Sequence, residues 1–447
     1  MSRRAIRQGW LVSAALLGLG FGAATAFGQA RMPAGTGTAP APAGVITLAD
    51  ALRMARANSP ALQAALAATG AAHAARIQAR SGLLPNLSLN NQFLYTQPNG
   101  TPTGVYIANN GTHEYINQAD VHQTIGVAQA AGYRSAAAVE DVARAQAEIA
   151  ARGLVYTVVQ AYDALVVAQR KYATAKQAGQ DAQRFLTITR DREHGGEAAH
   201  ADVIKAEIQL QQSQRNLSEA ALTEGAARNE LAILIFPDYR TRYQVADDLR
   251  TPAALPPFAT VQAQAAKHNP SVAAAMAALR QADQNVWVAR GAIIPSLGLD
   301  YYYGIDANQF ATTFDGIRNL GSSVLATVNV PLWNWGATEA QIAAAHLQVR
   351  QARVELSFQQ RQLLADLHSF YAEAQTARAE IDSLKRSVDL AAESLRLATL
   401  RYQAGEALVL EVVDAQNTLV LARNAYDDGQ ARYELALANL QTLTGTL

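Results

Sequence analysis

Covalent chemistry needs nucleophiles, ligands or paired acids at working spacings, and this sequence offers few. Its 447 residues include no cysteine, which removes a thiol nucleophile, thiolate zinc sites, a disulfide scaffold and a lipid-bearing N-terminal Cys. No Gly-rich phosphate loop, His/Asp/Glu metal cluster or Ser/His/Asp arrangement stands in a suitable context. His194 and His200 are six apart around Gly195-Gly196, which is no metal spacing, so both read as solvated loop histidines. Glu411 and Asp414 stand one helical turn apart and, taken alone, are acids on a solvated helix face. Trp333 and Trp335 end a stretch of alternating residues, where an interfacial aromatic belt is expected and core packing is the alternative. Tyr95, Tyr115, Tyr301, Tyr302 and Tyr303 fit an outer girdle or packing between strands. These residues imply no enzyme, no metal and no cofactor.

The elements that carry them follow from the rest of the chain. Half of the residues are apolar, yet aromatics are 7% and charges 17%; alanine supplies much of the apolar share and lets helices approach closely. Lys+Arg (37) balances Asp+Glu (37), so no basic field attracts nucleic acid. Residues 1–30 read as a secretory signal, with Arg3, Arg4 and Arg7 before the short apolar run Leu11 to Phe21. Its removal takes away three Arg and no acid, leaving a net charge of −3. Residues 31–46, rich in Pro, Ala, Gly and Thr, read as a flexible lead-in, and order is expected to start at Thr47, which with Asp50 makes a capping box. No later stretch supplies about 18 consecutive apolar residues, so any contact with a membrane core must use strands.

An internal repeat organises the chain. Pro60-Ala61-Leu62 through Arg80, then Leu83-Leu84-Pro85-Asn86-Leu87-Ser88-Leu89, recurs 210 residues later as Pro270-Ser271-Val272 through Arg290, then Ile293-Ile294-Pro295-Ser296-Leu297-Gly298-Leu299. At an offset of 209, Arg192 to Ala198 aligns with Arg401 to Ala407, and Tyr162 with Tyr371. The chain is therefore a tandem duplication of 47–236 and 258–447, joined by a linker, 237–257, whose four prolines exclude a helix.

Each half predicts the same order. A helical stretch leads to two alternating segments, in the regions 85–127 and 295–331, separated by a Gly/Asn-rich loop. Each segment is about 10 residues, enough to cross a bilayer as a tilted strand. A very long helix follows. Residues 338–403 contain neither Pro nor Gly, and an apolar row from Ile342 to Tyr402 advances in steps of three and four, a coiled-coil seam. About 65 residues at 1.5 Å rise give a rod of roughly 100 Å. Gly405 breaks it and an antiparallel helix returns over about 408–443; the first half does the same around Gly195-Gly196. The fold class is mainly α with a small β part. Four strands cannot close a membrane barrel and open edges are forbidden in lipid, so the strands must close with other copies, 8 in a dimer or 12 in a trimer.

This order resembles the TolC-like outer-membrane efflux proteins. Three stretches carry the likeness: the repeated helix ends at Leu84-Pro85-Asn86-Leu87 and Ile294-Pro295-Ser296-Leu297; Val330-Pro331-Leu332-Trp333-Asn334-Trp335-Gly336; and Arg401-Tyr402-x-x-Gly405 followed by Val412-Val413-Asp414-Ala415-Gln416. The first half departs from the second pattern, having Ala128-Gln129-Ala130-Ala131-Gly132 there. The resemblance implies a homotrimer, with one 12-stranded barrel in the outer membrane and a helical barrel across the periplasm. It implies a passive exit duct that docks its tip turns on a periplasmic adaptor and an inner-membrane pump of the resistance-nodulation-division or ABC type. It makes Glu411 and Asp414, six and nine residues after Gly405, an acidic ring at the periplasmic aperture, and Asp202 a partner for the Tyr402 hydroxyl in an aperture lock. Ala407 stands where some relatives have a basic partner. The alternative from another class is a secreted structural or adhesive coiled-coil protein.

Overall fold

A computed structural model describes residues 45–95, 113–249 and 253–445. The chain runs through the same order twice. The first pass holds β1 (Val45–Ile46), α1 (Leu48–Asn58), α2 (Pro60–Ser81), β2 (Asn86–Tyr95), β3 (His113–Ile125), α3 (Val127–His194) and α4 (His200–Ile235). The second holds β4 (Gln244–Val245), α5 (Phe258–His268), α6 (Pro270–Arg290), β5 (Ser296–Ala307), the short β6 (Thr313–Phe314) and β7 (Ile317–Arg318), β8 (Leu320–Asn329), α7 (Ala337–Gln403) and α8 (Val409–Thr444). Among the described residues no helix is long and apolar enough to cross a membrane.

Local sequence sets the helix boundaries. The Thr47 hydroxyl accepts from the Asp50 N–H while the Asp50 carboxylate accepts from the Thr47 N–H, closing the capping box before α1. Ser59 and Asn269 cap α2 and α6, each ahead of a proline in the first helical turn, where a missing N–H costs nothing. Helices α3 and α7 run 68 and 67 residues without interruption. They are held by packing of small side chains: α3 buries eight alanines from Ala131 to Ala182 along its length. The expected seam of α7 is buried at Ala345, Val349, Leu363, Leu367, Ala374, Ala377, Ile381, Ala391 and Tyr402. Each long helix pairs with the helix after its turn, α3 with α4 and α7 with α8, and α3 also packs on α8 across the two halves.

The lead-in expected through residue 46 ends sooner. Val45 and Ile46 form a parallel pair with Gln244 and Val245, and the Tyr162 hydroxyl sits 3.1 Å from the Ile46 carbonyl and 2.8 Å from that of Ala246. Ile46 is buried among Val158, Leu231 and Ile235, and that burial orders two residues that composition assigned to a tail. The segment between the halves carries no helix among its described residues, but it is a packed part of the core, contributing Tyr243 and Leu249.

Four strands form one antiparallel sheet in the order β2-β3-β5-β8. Residues directly opposite in register share a face. One face therefore carries Leu87, Leu89 and Phe93, then Tyr115 and Val121, then Leu297, Leu299, Tyr301 and Tyr303, then Val324, Ala326 and Val328. The other carries Ser88, Asn90 and Gln92, then Gln118, Asp120 and His122, then Asp300 and Tyr302, then Ser323, Thr327 and Asn329. Tyr302 thus lies on the face opposite to its two neighbours. The apolar face is exposed, with Leu87, Leu89, Val324 and Val328 all more than 60% accessible. Both outer strands, β2 and β8, leave an unpaired edge.

Candidate functional site

The duplicated motif at residues 192–198 and 401–407 builds the same turn twice. In the first, the Glu197 N–H reaches the Arg192 carbonyl at 2.8 Å and the Gly196 N–H that of Glu193 at 2.9 Å. In the second, the Glu406 N–H reaches Arg401 at 2.8 Å and the Gly405 N–H reaches Tyr402 at 3.1 Å. This double bond pattern closes a helix through one left-handed residue, and Gly196 (φ 76°) and Gly405 (φ 82°) occupy that position. Gly195, by contrast, is right-handed and caps α3. The two turns lie side by side because one apolar cluster spans both hairpins: Phe185 and Leu186 of α3, Val203 and Ala206 of α4, Tyr402 of α7, Val409 and Val412 of α8.

The side chains around the turns differ. Glu411 is committed to its own hairpin: its carboxylate pairs with Arg401 at 3.1 Å and accepts from the Leu408 N–H at 3.3 Å, capping α8. Asp414 is exposed and has no ion pair or hydrogen bond among the described residues. The hydroxyl bond between Tyr402 and Asp202 is not made within the chain. Tyr402 is only 3% exposed, its ring stands edge-on to Phe185 at 5.1 Å, and its hydroxyl has no partner. Asp202 instead faces Lys205, 3.6 Å away on the next turn of α4. The ring packs against Phe185, and its buried hydroxyl makes no bond to the acid.

Sequence spacing did not point to what holds Tyr402. The Arg192 guanidinium Nη1 donates to the Tyr402 carbonyl, and its carbon stands 4.9 Å over the Tyr402 ring. The signal was present in the repeat, since Arg192 and Arg401 align, but a repeat does not say which hairpin each arginine serves.

The flanking histidines do not converge. His194 Nδ1 lies 2.7 Å from the Arg190 carbonyl and His200 Nδ1 2.7 Å from the Glu193 carboxylate. Among the described residues no group of three or more His, Asp or Glu could hold a metal ion. At the opposite end of the rods, Trp333 and Trp335 are 73% and 88% exposed and meet edge-on at 6.1 Å, so they pack on each other and not into the core. They lie in the seven residues between β8 and α7; the first half, lacking Val-Pro-Leu, passes from β3 to α3 through Gly126 alone.

A second polar group sits midway along the rods, and composition gave no sign of it. Arg170 of α3 pairs with Asp247 of the linker, and its Nη1 lies 3.1 Å from Asp427 and 2.6 Å from Gln430 of α8. One helical turn or two away, Asp163 is 5% exposed, with one carboxylate oxygen bonded to nothing. Burial, helped by the charges of Glu434 and Asp248, pushes its carboxyl up to about 7. Burial raises Glu434 and Asp427 as well. These groups join α3, α8 and the linker.

The family model described as "Outer membrane efflux protein" matches residues 51–235 and 261–446, one match for each half. The outer membrane protein OprJ of Pseudomonas aeruginosa is 25% identical over 302 residues, which cover 67% of this chain and 62% of that protein. The chain thus spans about three fifths of the length of that relative. The outer membrane protein TolC of Vibrio cholerae is 24% identical over 419 residues, covering 90% of this chain and 91% of that protein. The solved outer membrane protein VceC of Vibrio cholerae superposes with a TM-score of 0.77 at 20% identity, over 89% of this chain and 96% of that one, a likeness of fold.

Proposed function

The chain belongs to the outer membrane efflux protein family, and on that premise we propose that it is a passive exit duct in the outer membrane. Three copies close their sheets edge to edge into a 12-stranded barrel, and their helical hairpins extend into the periplasm as a tunnel. Substrates enter from an inner-membrane pump, of the resistance-nodulation-division or ABC type, through a periplasmic adaptor that docks on the turns at Gly195, Gly196 and Gly405. The protein does no covalent chemistry. Asp414, with Glu411 beside it, supplies the acidic ring at the aperture, while Trp333 and Trp335 mark the membrane interface next to the helices.

The observation that carries this reading is the sheet. One face is apolar and exposed, the other polar, and both edges are open. Lipid on one side and water on the other account for the two faces, and closure with further copies accounts for the edges. A secreted coiled-coil protein has no use for such a sheet between its rods.

The test uses one strand. Val328 lies on the apolar face and its neighbour Asn329 on the polar one. Val328→Arg should impair insertion of the heat-modifiable trimer, by about 2–4 kcal/mol at a midplane position. Asn329→Arg should leave a trimer that inserts and conducts in planar bilayers. Equal outcomes at the two positions would overturn the assignment of the faces, and a soluble monomer would overturn the duct.

A further inference from the structure

We infer that the short hairpin β6–β7, in the connection between β5 and β8, is an amphipathic foot that rests in the outer leaflet of the membrane, with its apolar side on acyl chains and Arg318 toward lipid phosphates. The inference rests on the channel reading above, which makes the apolar face of the sheet the lipid face.

The strands place the hairpin. β5 starts next to the end of α6 and runs 12 residues to Ala307, about the length that crosses a bilayer as a tilted strand. The connection that follows therefore emerges at the interface far from the helices. It is folded. Asn319 Nδ2 donates to the Ala311 carbonyl at 3.0 Å, and the Asn319 N–H donates to that of Thr312 at 3.0 Å. Asp315 (φ 52°) and Gly316 (φ 80°) supply the left-handed pair that a two-residue hairpin turn needs. Phe314 then pairs with Ile317, and Thr313 with Arg318.

That register sorts the side chains, because successive pairs point to opposite sides. Phe314 and Ile317 share one side, Thr313 and Arg318 the other. Phe310, Phe314 and Ile317 are all exposed, so a short connection carries a contiguous apolar load that water does not favour. Arg318 is exposed and has no ion pair among the described residues.

Two occupants could cover the apolar side: lipid beside the barrel, or the same tips of other copies over its mouth. The contacts favour lipid. The Phe310 ring stands 6.1 Å from that of Tyr115, and Tyr115 lies on the apolar face, in register with Phe93 and Ala307. Phe93 meets Tyr115 at 4.9 Å, and Tyr95 meets His113 at 5.2 Å. Phe310 thus extends an aromatic row at the outer end of the lipid face. That face is exposed at Tyr301 and Tyr303 and buried at Ile305 and Ala307, next to where the connection begins. A connection bent toward this face leads away from the lumen. At headgroup level an amphipathic element binds through its apolar area and through attraction of its cation to anionic lipid.

The chain has no cysteine, so a single introduced cysteine takes a nitroxide label at one place. The full-length protein is labelled at Phe314→Cys, Ile317→Cys or Arg318→Cys and reconstituted into vesicles of phosphatidylethanolamine and phosphatidylglycerol. Val324→Cys on the apolar face and Ser323→Cys on the polar face serve as references. Collision with oxygen, which concentrates in lipid, is compared with collision with a water-soluble nickel chelate. The labels at Phe314 and Ile317 should favour oxygen, as at Val324, at a depth within about 10 Å of the headgroups. The label at Arg318 should favour nickel. A nickel preference at Phe314 or Ile317 overturns the foot, and if one of these variants fails to assemble the other decides. Phe314→Ser combined with Ile317→Ser should keep the parent's single-channel conductance in planar bilayers. A raised conductance overturns the lipid contact and puts the hairpin over the mouth. Labels at Val324 and Ser323 that behave alike overturn the channel reading's faces and the foot with them. Reference labels that differ as expected, with nickel preferred at Phe314 and Ile317, overturn the foot alone.

Discussion

In the first repeat Tyr162 is 1% exposed, with two backbone carbonyls within 3.1 Å of its hydroxyl. In the second, Tyr371 stands at the equivalent position, is half-buried, and reaches one carbonyl, that of Pro256, at 3.1 Å. The next residue along widens the contrast: Asp163 is a buried acid where the second repeat has Ala372. At the tips the first repeat has Asp202 and Lys205, which pair, where the second has Glu411 and Asp414. Duplication preserved the turns, where backbone geometry tolerates one residue type. The charges diverged, because each repeat faces different neighbours once the chain folds on itself. The first repeat spends its polar groups on ties within the chain, and the second leaves an acid facing outward.

The largest expected effect concerns Asp163. An ordinary carboxyl loses its proton near pH 4, whereas this one holds it up to about 7 in the folded chain. The folded state thus binds the extra proton between those values, so stability falls as pH rises through that window and the full penalty stands above 7. The penalty is on the order of 4 kcal/mol. Asp163→Asn should match the parent in thermal unfolding at about pH 3.5 and exceed it at pH 8. Equal melting at pH 8 would show that the acid is paired or wetted, and the contrast with Ala372 would lose its meaning.

A smaller effect separates the two tyrosines. Tyr162→Phe removes the hydroxyl from the Ala246 carbonyl and should cost about 1–3 kcal/mol, while Tyr371→Phe, beside solvent, should cost no more than about 0.5 kcal/mol. Denaturant midpoints of the two variants measure the difference, and similar losses would make the repeats equal at this point.

The smallest effect on stability belongs to the exposed acids, and it should appear in ion preference instead. Replacing Glu411 and Asp414 together by Ala should lower cation selectivity in bilayers and weaken block by trivalent cations. Because Arg401 already neutralises Glu411 in part, Asp414→Ala alone should account for most of the change. A double variant with the parent's ion preference would place the constriction elsewhere along the tunnel.

The second rod was legible in the sequence because a seam in steps of three and four, uninterrupted by Pro or Gly, has one structural solution at this length, and the repeat carried the first rod with it. Both tip turns were legible for a similar reason: Gly196 and Gly405 take a left-handed backbone that other residues resist. The strands showed through period-two alternation, and Val328 and Asn329 fall on the two faces that the alternation assigns. That Tyr402 and Asp202 stay apart within the chain was not legible. Spacing puts both residues near the tip, but whether a ring turns toward an acid or toward Phe185 depends on how two hairpins pack.

The same limit explains the rest. Periodicity and turn chemistry are properties of neighbours along the chain, and they determined the elements, their order and their duplication. Partners more than about 80 residues apart were decided only in the fold: Ile46 with the Tyr162 hydroxyl, Arg170 with Asp427, Arg192 with the Tyr402 carbonyl. Each depends on which surfaces meet when α3 packs against α8 and the two tips come together, and a polar side chain takes whatever partner that packing leaves within reach.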